Sequence, residues 1–124
     1  MERIIPVTKL ASSTATRLRG QGAYINLVEH LKAGESVSLD LRDQELISMS
    51  FLDQIVLNLK AADLLDKVTF LVNDPAIRQR IARIAAFRDA VIYYASSESE
   101  PRKPIKPQPS PDLQLKPRSS AADR

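Results

Sequence analysis

Few side chains in this sequence could do chemistry. The single histidine, His30, has no nucleophile or acid that spacing places beside it, so no catalytic constellation is predicted. The chain has no cysteine, and one histidine cannot make a ligand cluster, so no metal site is predicted either. Asp40 and Asp43 could in principle hold magnesium, but an isolated pair of carboxylates more often faces water. We therefore expect a protein that is not an enzyme and that has no cofactor.

Ser48 and Ser50 are the polar residues whose position in the sequence suggests a functional role. They stand between residues 37–41, which alternate apolar and polar side chains as a half-buried strand does, and residues 51–59, which have helical spacing. A turn from a strand into a helix places hydroxyls at the helix N-terminus. The unpaired N–H groups and the helix dipole there favour anions. This turn is where the sequence predicts a functional site.

Two interpretations of Ser50 remain open from the residues alone. The run Ser50-Phe51-Leu52-Asp53 matches the Ser-x-x-Asp/Glu capping pattern, so Ser50 could cap the helix. Such a cap contributes about 1 kcal/mol of stability. Alternatively, Ser50 and Ser48 are candidate phosphorylation sites, because a phosphate adds roughly −1.5 to −2 charge beside the positive end of the helix dipole. From the turn alone, the capping interpretation is favoured.

Three arginines, Arg78, Arg80 and Arg83, lie away from the apolar face of a predicted helix. They could contact phosphates. Together with the basic C-terminal tail at residues 96–124, they suggest an alternative function as a nucleic-acid or anionic-ligand binding module. Arginines on an outer helix face are usually solvated, however, and the sequence suggests no aromatic residues interleaved with them for base stacking. Nucleic acid is therefore not the partner that we expect first.

Gly20 and Gly22 interrupt the first predicted helix and suggest a phosphate-binding loop. A dinucleotide fingerprint needs a third glycine directly after a strand, and a P-loop needs Gly-Lys-Ser/Thr, but neither pattern is present. Close backbone packing or a weak point in the helix is the better interpretation.

The predicted elements follow the order β-α-β-α-β-α-β. Apolar runs near residues 3–7, 37–41, 67–72 and 90–94 alternate with helical patterns over about 14–32, 51–66 and from Pro75 onward. Asn73-Asp74-Pro75 is a strong helix start. Such alternation predicts an α/β layered domain with a mostly parallel central sheet, whose sites lie beyond the carboxyl ends of the strands. The turn at Ser48 and Ser50 lies at that edge.

Composition divides the chain into a domain at 1–95 and a tail at 96–124. The tail holds six of the eight prolines, and its six basic and four acidic residues account for +2 of the net charge of +3. We expect it to be a disordered, basic, Pro-rich segment, with the Pro104 and Pro107 spacing as a possible docking peptide. The absence of cysteine and of a long apolar run favours a cytoplasmic protein without a membrane segment.

The segment LDLRDQELISMSFLDQIVLNL resembles the core signature of the STAS superfamily, in which a strand ending in an aliphatic-Asp pair leads through a serine-bearing turn into a helix. It is most similar to the bacterial STAS-like domain of unknown function, whose helix opens with Phe-x-Asp-Glu. Phe51 and Asp53 match that pattern, and Gln54 stands where the family usually has Glu. Other fitting positions are Arg17, Gly20 and residues 71–75, and the resemblance covers residues 3–94.

The resemblance implies regulatory protein interaction. Anti-sigma-factor antagonists of this superfamily bind an anti-sigma factor or histidine-kinase-like ATPase and are switched by phosphorylation of a serine in the turn, the position of Ser50. The turn here lacks the Asp and the Gly of the usual Asp-Ser-Ser-Gly. On this basis the docking surface is expected to comprise Ser48, Met49, Ser50, Phe51, Asp53 and Gln54.

Overall fold

The computed structural model describes residues 3–44 and 46–107. The strands are β1 Arg3–Pro6, β2 Val37–Asp40, β3 Val68–Leu71, β4 Ile92–Ala95 and β5 Lys103–Ile105. The helices are α1 Arg17–Lys32, α2 Met49–Ala61 and α3 Pro75–Arg88, with short 3-10 turns at Val7–Lys9 and Leu65–Lys67.

The five strands form one sheet in the order β1-β2-β3-β4-β5. The first four strands are parallel, and β5 pairs with β4 in the antiparallel direction. Strands are added in one direction across the sheet, and crossovers between parallel strands are right-handed, so the three helices lie on the same face. Helix α2 accordingly contacts both α1 and α3. The predicted α/β domain with a mostly parallel sheet is confirmed.

The core lies between the sheet and this helical layer. Val37, Leu39 and Phe70 point into it from the two central strands, and Phe51 and Ile55 meet them from α2. Strand β3 is buried along its whole length, on both of its faces.

Strand β5 places the end of the domain later than the sequence predicted. The tail was expected to begin at residue 96, but Tyr93 lies opposite Pro104 in the sheet. The guanidinium of Arg102 stacks 3.9 Å from the Tyr93 ring centroid and donates to the carbonyl of Asp66 at 2.6 Å. The proline is tolerated because β5 is an edge strand. The predicted disorder of residues 108–124 lies outside the described residues.

Local signals at the helix ends are confirmed in part. Asp74 caps α3 by accepting a hydrogen bond from the Ala76 N–H at 2.9 Å, with Pro75 as the first helical residue. Gly34 adopts φ +85° after α1, a conformation that glycine reaches without strain.

Among the described residues, no helix is both long and apolar enough to cross a membrane.

Candidate functional site

Ser48, not Ser50, caps helix α2. The Ser48 Oγ accepts a hydrogen bond from the N–H of Phe51 at 3.0 Å, and Ser50 is the second residue of the helix. The prediction that Ser50 is the cap was therefore wrong. The reason is a tertiary contact: the Ser48 N–H donates to the Thr14 carbonyl at 3.0 Å, and the Thr14 hydroxyl donates to the Leu46 carbonyl at 2.9 Å. The loop before α1 thus anchors Leu46 and Ser48, Ser48 has an extended backbone, and the helix begins directly after it.

Two of the six predicted docking residues do not reach the surface. Phe51 is fully buried in the core. Asp53 is also buried, and Arg88 donates to both of its carboxylate oxygens, from Nε to Oδ1 at 2.8 Å and from Nη2 to Oδ2 at 2.6 Å. The Arg17 Nη2 lies 3.0 Å from the same Oδ2. These residues position the helix and are in no position to contact a partner directly.

Asp53 is held ionised by its two arginines. Hydrogen bonding from Arg88 is the largest cause that keeps the pKa of Asp53 below its ordinary value, and Arg17 adds to it, while burial works in the opposite direction. Because Arg17 opens α1 and Arg88 ends α3, one carboxylate on α2 bridges all three helices. Asp53 was predicted to belong to a capping or docking pattern, and its role as a bridge between helices was not predicted.

The other four predicted docking residues lie at the surface around the first turns of α2. Ser48, Ser50 and Gln54 are half-buried, and Met49 is 37% exposed. Arg17 joins them, since its Nη1 donates to the Gln54 Oε1 at 3.1 Å. This group, Ser48, Met49, Ser50 and Gln54, is called the α2 surface below.

Two exposed leucines lie at the same end of the domain as the α2 surface. Leu46 is 81% exposed directly before the cap, and Leu18 is 76% exposed in the first turn of α1. Neither leucine was among the site residues predicted from the sequence. Their exposure could have been predicted from the sequence, because each leucine lies outside the pattern of regularly spaced apolar residues near it.

Gly20 lets α1 approach the start of α2. A Cβ at Gly20 would lie 2.5 Å from the carbonyl oxygen of Phe51, so a larger residue cannot fit without movement of the backbone. At Gly22 a Cβ would meet nothing within 4 Å. Close backbone packing therefore explains why position 20 is a glycine, as expected. It does not explain the glycine at position 22.

A second charged cluster lies at the carboxyl end of β2. Arg42 donates to both oxygens of Asp40, from Nε and Nη2 at 2.9 Å each, and its Nη2 lies 2.9 Å from Oε1 of Glu98. The hydrogen bond from Arg42 lowers the pKa of Asp40. A cation at Asp40 would have to displace this guanidinium, whereas Asp43 is exposed. Within residues 3–44 and 46–107, no group of three or more His, Cys, Asp or Glu side chains could hold a metal ion.

The arginines of α3 lie on the outside of the helical layer. Arg78 and Arg83 are exposed and Arg80 is partly so, and none forms an ion pair with another described residue. No aromatic residue stands between these three arginines, but α3 extends through Phe87, which follows them and is 76% exposed. The arginine of the buried bridge, Arg88, stacks 4.8 Å from the centroid of that ring.

His30 lies at the boundary of the core. It is partly exposed, and its Nδ1 is 3.8 Å from Oε1 of Glu35. Neither residue belongs to the α2 surface, so the histidine adds no chemistry there.

Comparison of the chain with protein-family models, with curated proteins and with solved structures finds no match.

Proposed function

We propose that the chain is a non-catalytic regulatory module that docks a partner protein through the α2 surface together with Leu46 and Leu18. The observation that supports this is the exposure of three apolar side chains, Leu18, Leu46 and Met49, at one end of the domain beside the serine turn. Single exposed apolar residues are common, but several at one edge suggest an interaction site. The resemblance to STAS-like domains points to an anti-sigma factor or a histidine-kinase-like ATPase as the partner.

Docking at this position is supported by the way the turn is built. The backbone of residues 46–48 is anchored by Thr14, and the helix beyond it is anchored by the bridge at Asp53. A surface held from two sides loses little conformational freedom on binding, which favours affinity. The fully buried Phe51 and the buried Asp53 contribute by holding the helix in place.

Phosphorylation of Ser50 would act as the switch. Ser50 is the second residue of α2, where a phosphate is favoured by the unpaired N–H groups and the helix dipole. Ser50 is also three and four residues before Asp53 and Gln54, the two side chains that Arg17 contacts. Residues at those spacings share a helix face, so a phosphate on Ser50 would compete for the Arg17 guanidinium. It would also place about two negative charges beside Met49 and Leu46.

The proposal is tested by calorimetric titration with an anti-sigma factor or histidine-kinase-like ATPase encoded in the same genome. Leu46→Ser should weaken binding about tenfold or more, because it replaces the most exposed of the three apolar side chains with a polar one. Ile25→Ser, at an exposed apolar residue further along α1, is the matched control and should bind normally. Equal affinity of both variants would contradict docking through the exposed apolar residues beside the serine turn.

The switch is tested separately with Ser50→Asp and Ser50→Ala. Loss of binding with Asp but not with Ala supports regulation by charge at Ser50. If the two variants bind equally, the turn is a docking surface without a switch.

A further inference from the structure

Positive charge is concentrated on one part of the fold. Residues 3–74 hold eight basic and nine acidic residues, whereas residues 75–107 hold seven basic and three acidic ones. Within the latter, α3 carries four arginines and no acidic residue. Arg88 is paired with Asp53, while the other three form no ion pair with the described residues. The positive net charge of residues 3–107 therefore comes from residues 75–107, which include the basic helix α3.

Arg80, Arg83 and Phe87 lie in one row along that helix. Their spacing of three and then four residues places side chains on the same helix face. With a rise of about 1.5 Å per residue, the row spans roughly 10 Å along the helix axis from Arg80 to Phe87. It presents two guanidiniums followed by one aromatic ring. We call this row the α3 surface.

The ring of Phe87 is supported from one side. Arg88 stacks 4.8 Å from its centroid, and the Arg88 guanidinium is itself fixed by two hydrogen bonds to the buried carboxylate of Asp53. The ring nevertheless remains 76% exposed. An exposed aromatic ring that contacts a hydrogen-bonded guanidinium offers a flat apolar surface on which a base can stack.

We propose that the α3 surface binds single-stranded nucleic acid, with Arg80 and Arg83 at phosphates and a base stacked on Phe87. The ligand is chosen by charge and shape together: a single strand presents anionic phosphates and flat bases in alternation, and guanidiniums and an aromatic ring complement both. An acidic peptide would complement the arginines only. This site lies on a different helix from the α2 surface and does not depend on the docking function proposed there.

The test is fluorescence anisotropy of the full chain with dye-labelled single-stranded DNA and RNA oligonucleotides of about 12 nucleotides. Phe87→Ala should weaken binding by about tenfold, in the range found for loss of one stacked base. Phe87→Tyr should retain binding, since it keeps the ring. The double variant Arg80→Ala, Arg83→Ala should weaken binding and flatten its dependence on salt, because each phosphate contact in a single strand contributes about 0.7 to the logarithmic slope.

The matched controls change exposed residues of helix α1, away from the α3 surface. Arg19→Ala removes an exposed arginine from α1, and Ile25→Ala removes an exposed apolar side chain. Both should bind the oligonucleotides as the wild type does, and so should Ser50→Asp. Circular dichroism confirms that each variant is folded.

Three results would overturn the proposal. The first is the absence of salt-dependent binding to either oligonucleotide. The second is an Arg19→Ala effect as large as that of the double variant, which would indicate charge without a site. The third is equal affinity for a polyglutamate peptide with no loss in Phe87→Ala, which would assign the surface to an acidic protein instead.

Discussion

Arg88, the last residue of α3, donates to both carboxylate oxygens of Asp53 in α2, at 2.8 and 2.6 Å. Arg17 reaches the same carboxylate from the first turn of α1. The bridge therefore ties together the three helices that cover the sheet. It also connects the two proposed binding surfaces, because Asp53 follows the start of α2 by one turn and Arg88 supports the ring of Phe87.

Loss of this bridge should be costly. Asp53→Asn removes the charge that two arginines share, and breaking one partner of a buried pair costs about 3–5 kcal/mol. Because Arg17 and Arg88 are partly exposed and can be hydrated, we expect the free energy of unfolding to fall by about 2–3 kcal/mol, measured by urea denaturation. Asp43→Asn, at an exposed carboxylate, is the control and should change it by less than about 0.5 kcal/mol. Equal losses in the two variants would show that the bridge does not stabilise the fold.

Stability should also fall in acid. The arginines keep the pKa of Asp53 and of Asp40 below the ordinary value, which is about 3.9 in an unfolded chain. The unfolded state therefore binds more protons, so this stabilisation is fully present well above pH 4 and is lost as the pH falls through the lower, folded values. Urea denaturation at a series of pH values should show this decline. The double variant Asp40→Asn, Asp53→Asn should have a flatter profile, and an unchanged profile would contradict the assignment.

The two glycines of α1 should respond to alanine in opposite directions. Gly20→Ala places a Cβ against the Phe51 carbonyl and should destabilise the protein by about 2 kcal/mol, a typical cost of overpacking. Gly22→Ala meets open space and should stabilise the helix by about 0.5–1 kcal/mol. Thermal denaturation of both variants measures the difference. A stabilising Gly20→Ala would mean that α1 and α2 do not approach as closely as described.

The serines of the turn should differ in the same way. Ser48→Ala removes the cap of α2 and should lower the free energy of unfolding by about 1 kcal/mol. Ser50→Ala, inside the first turn, should change it by no more than about 0.5 kcal/mol. Chemical denaturation distinguishes the two, and a larger loss at Ser50 would restore it as the cap.

Local patterns were sufficient where one segment decides its own structure. The strand at residues 37–41, the helical spacing after Phe51 and the Asp74-Pro75 start each depend on neighbours along the chain, and all three elements are confirmed. The half-buried character predicted for that strand was wrong at Ser38, which is 2% exposed. Strand β5 was missed because Lys-Pro-Ile has no strand pattern of its own. It forms by pairing with the edge of β4.

The sequence by itself determined the α/β class, the parallel sheet and the position of the serine turn at its carboxyl edge, since periodicity and element order suffice for these. Only the tertiary structure decided what each residue of that turn does. The hydrogen bond from Ser48 to Thr14, in the loop before α1, positions Ser48 as the cap. Arg17 and Arg88, which are distant in the chain, pair with the buried carboxylate of Asp53. It also exposes Phe87 beside the α3 arginines. These roles depend on contacts between residues that are far apart in the chain, and no local pattern encodes them.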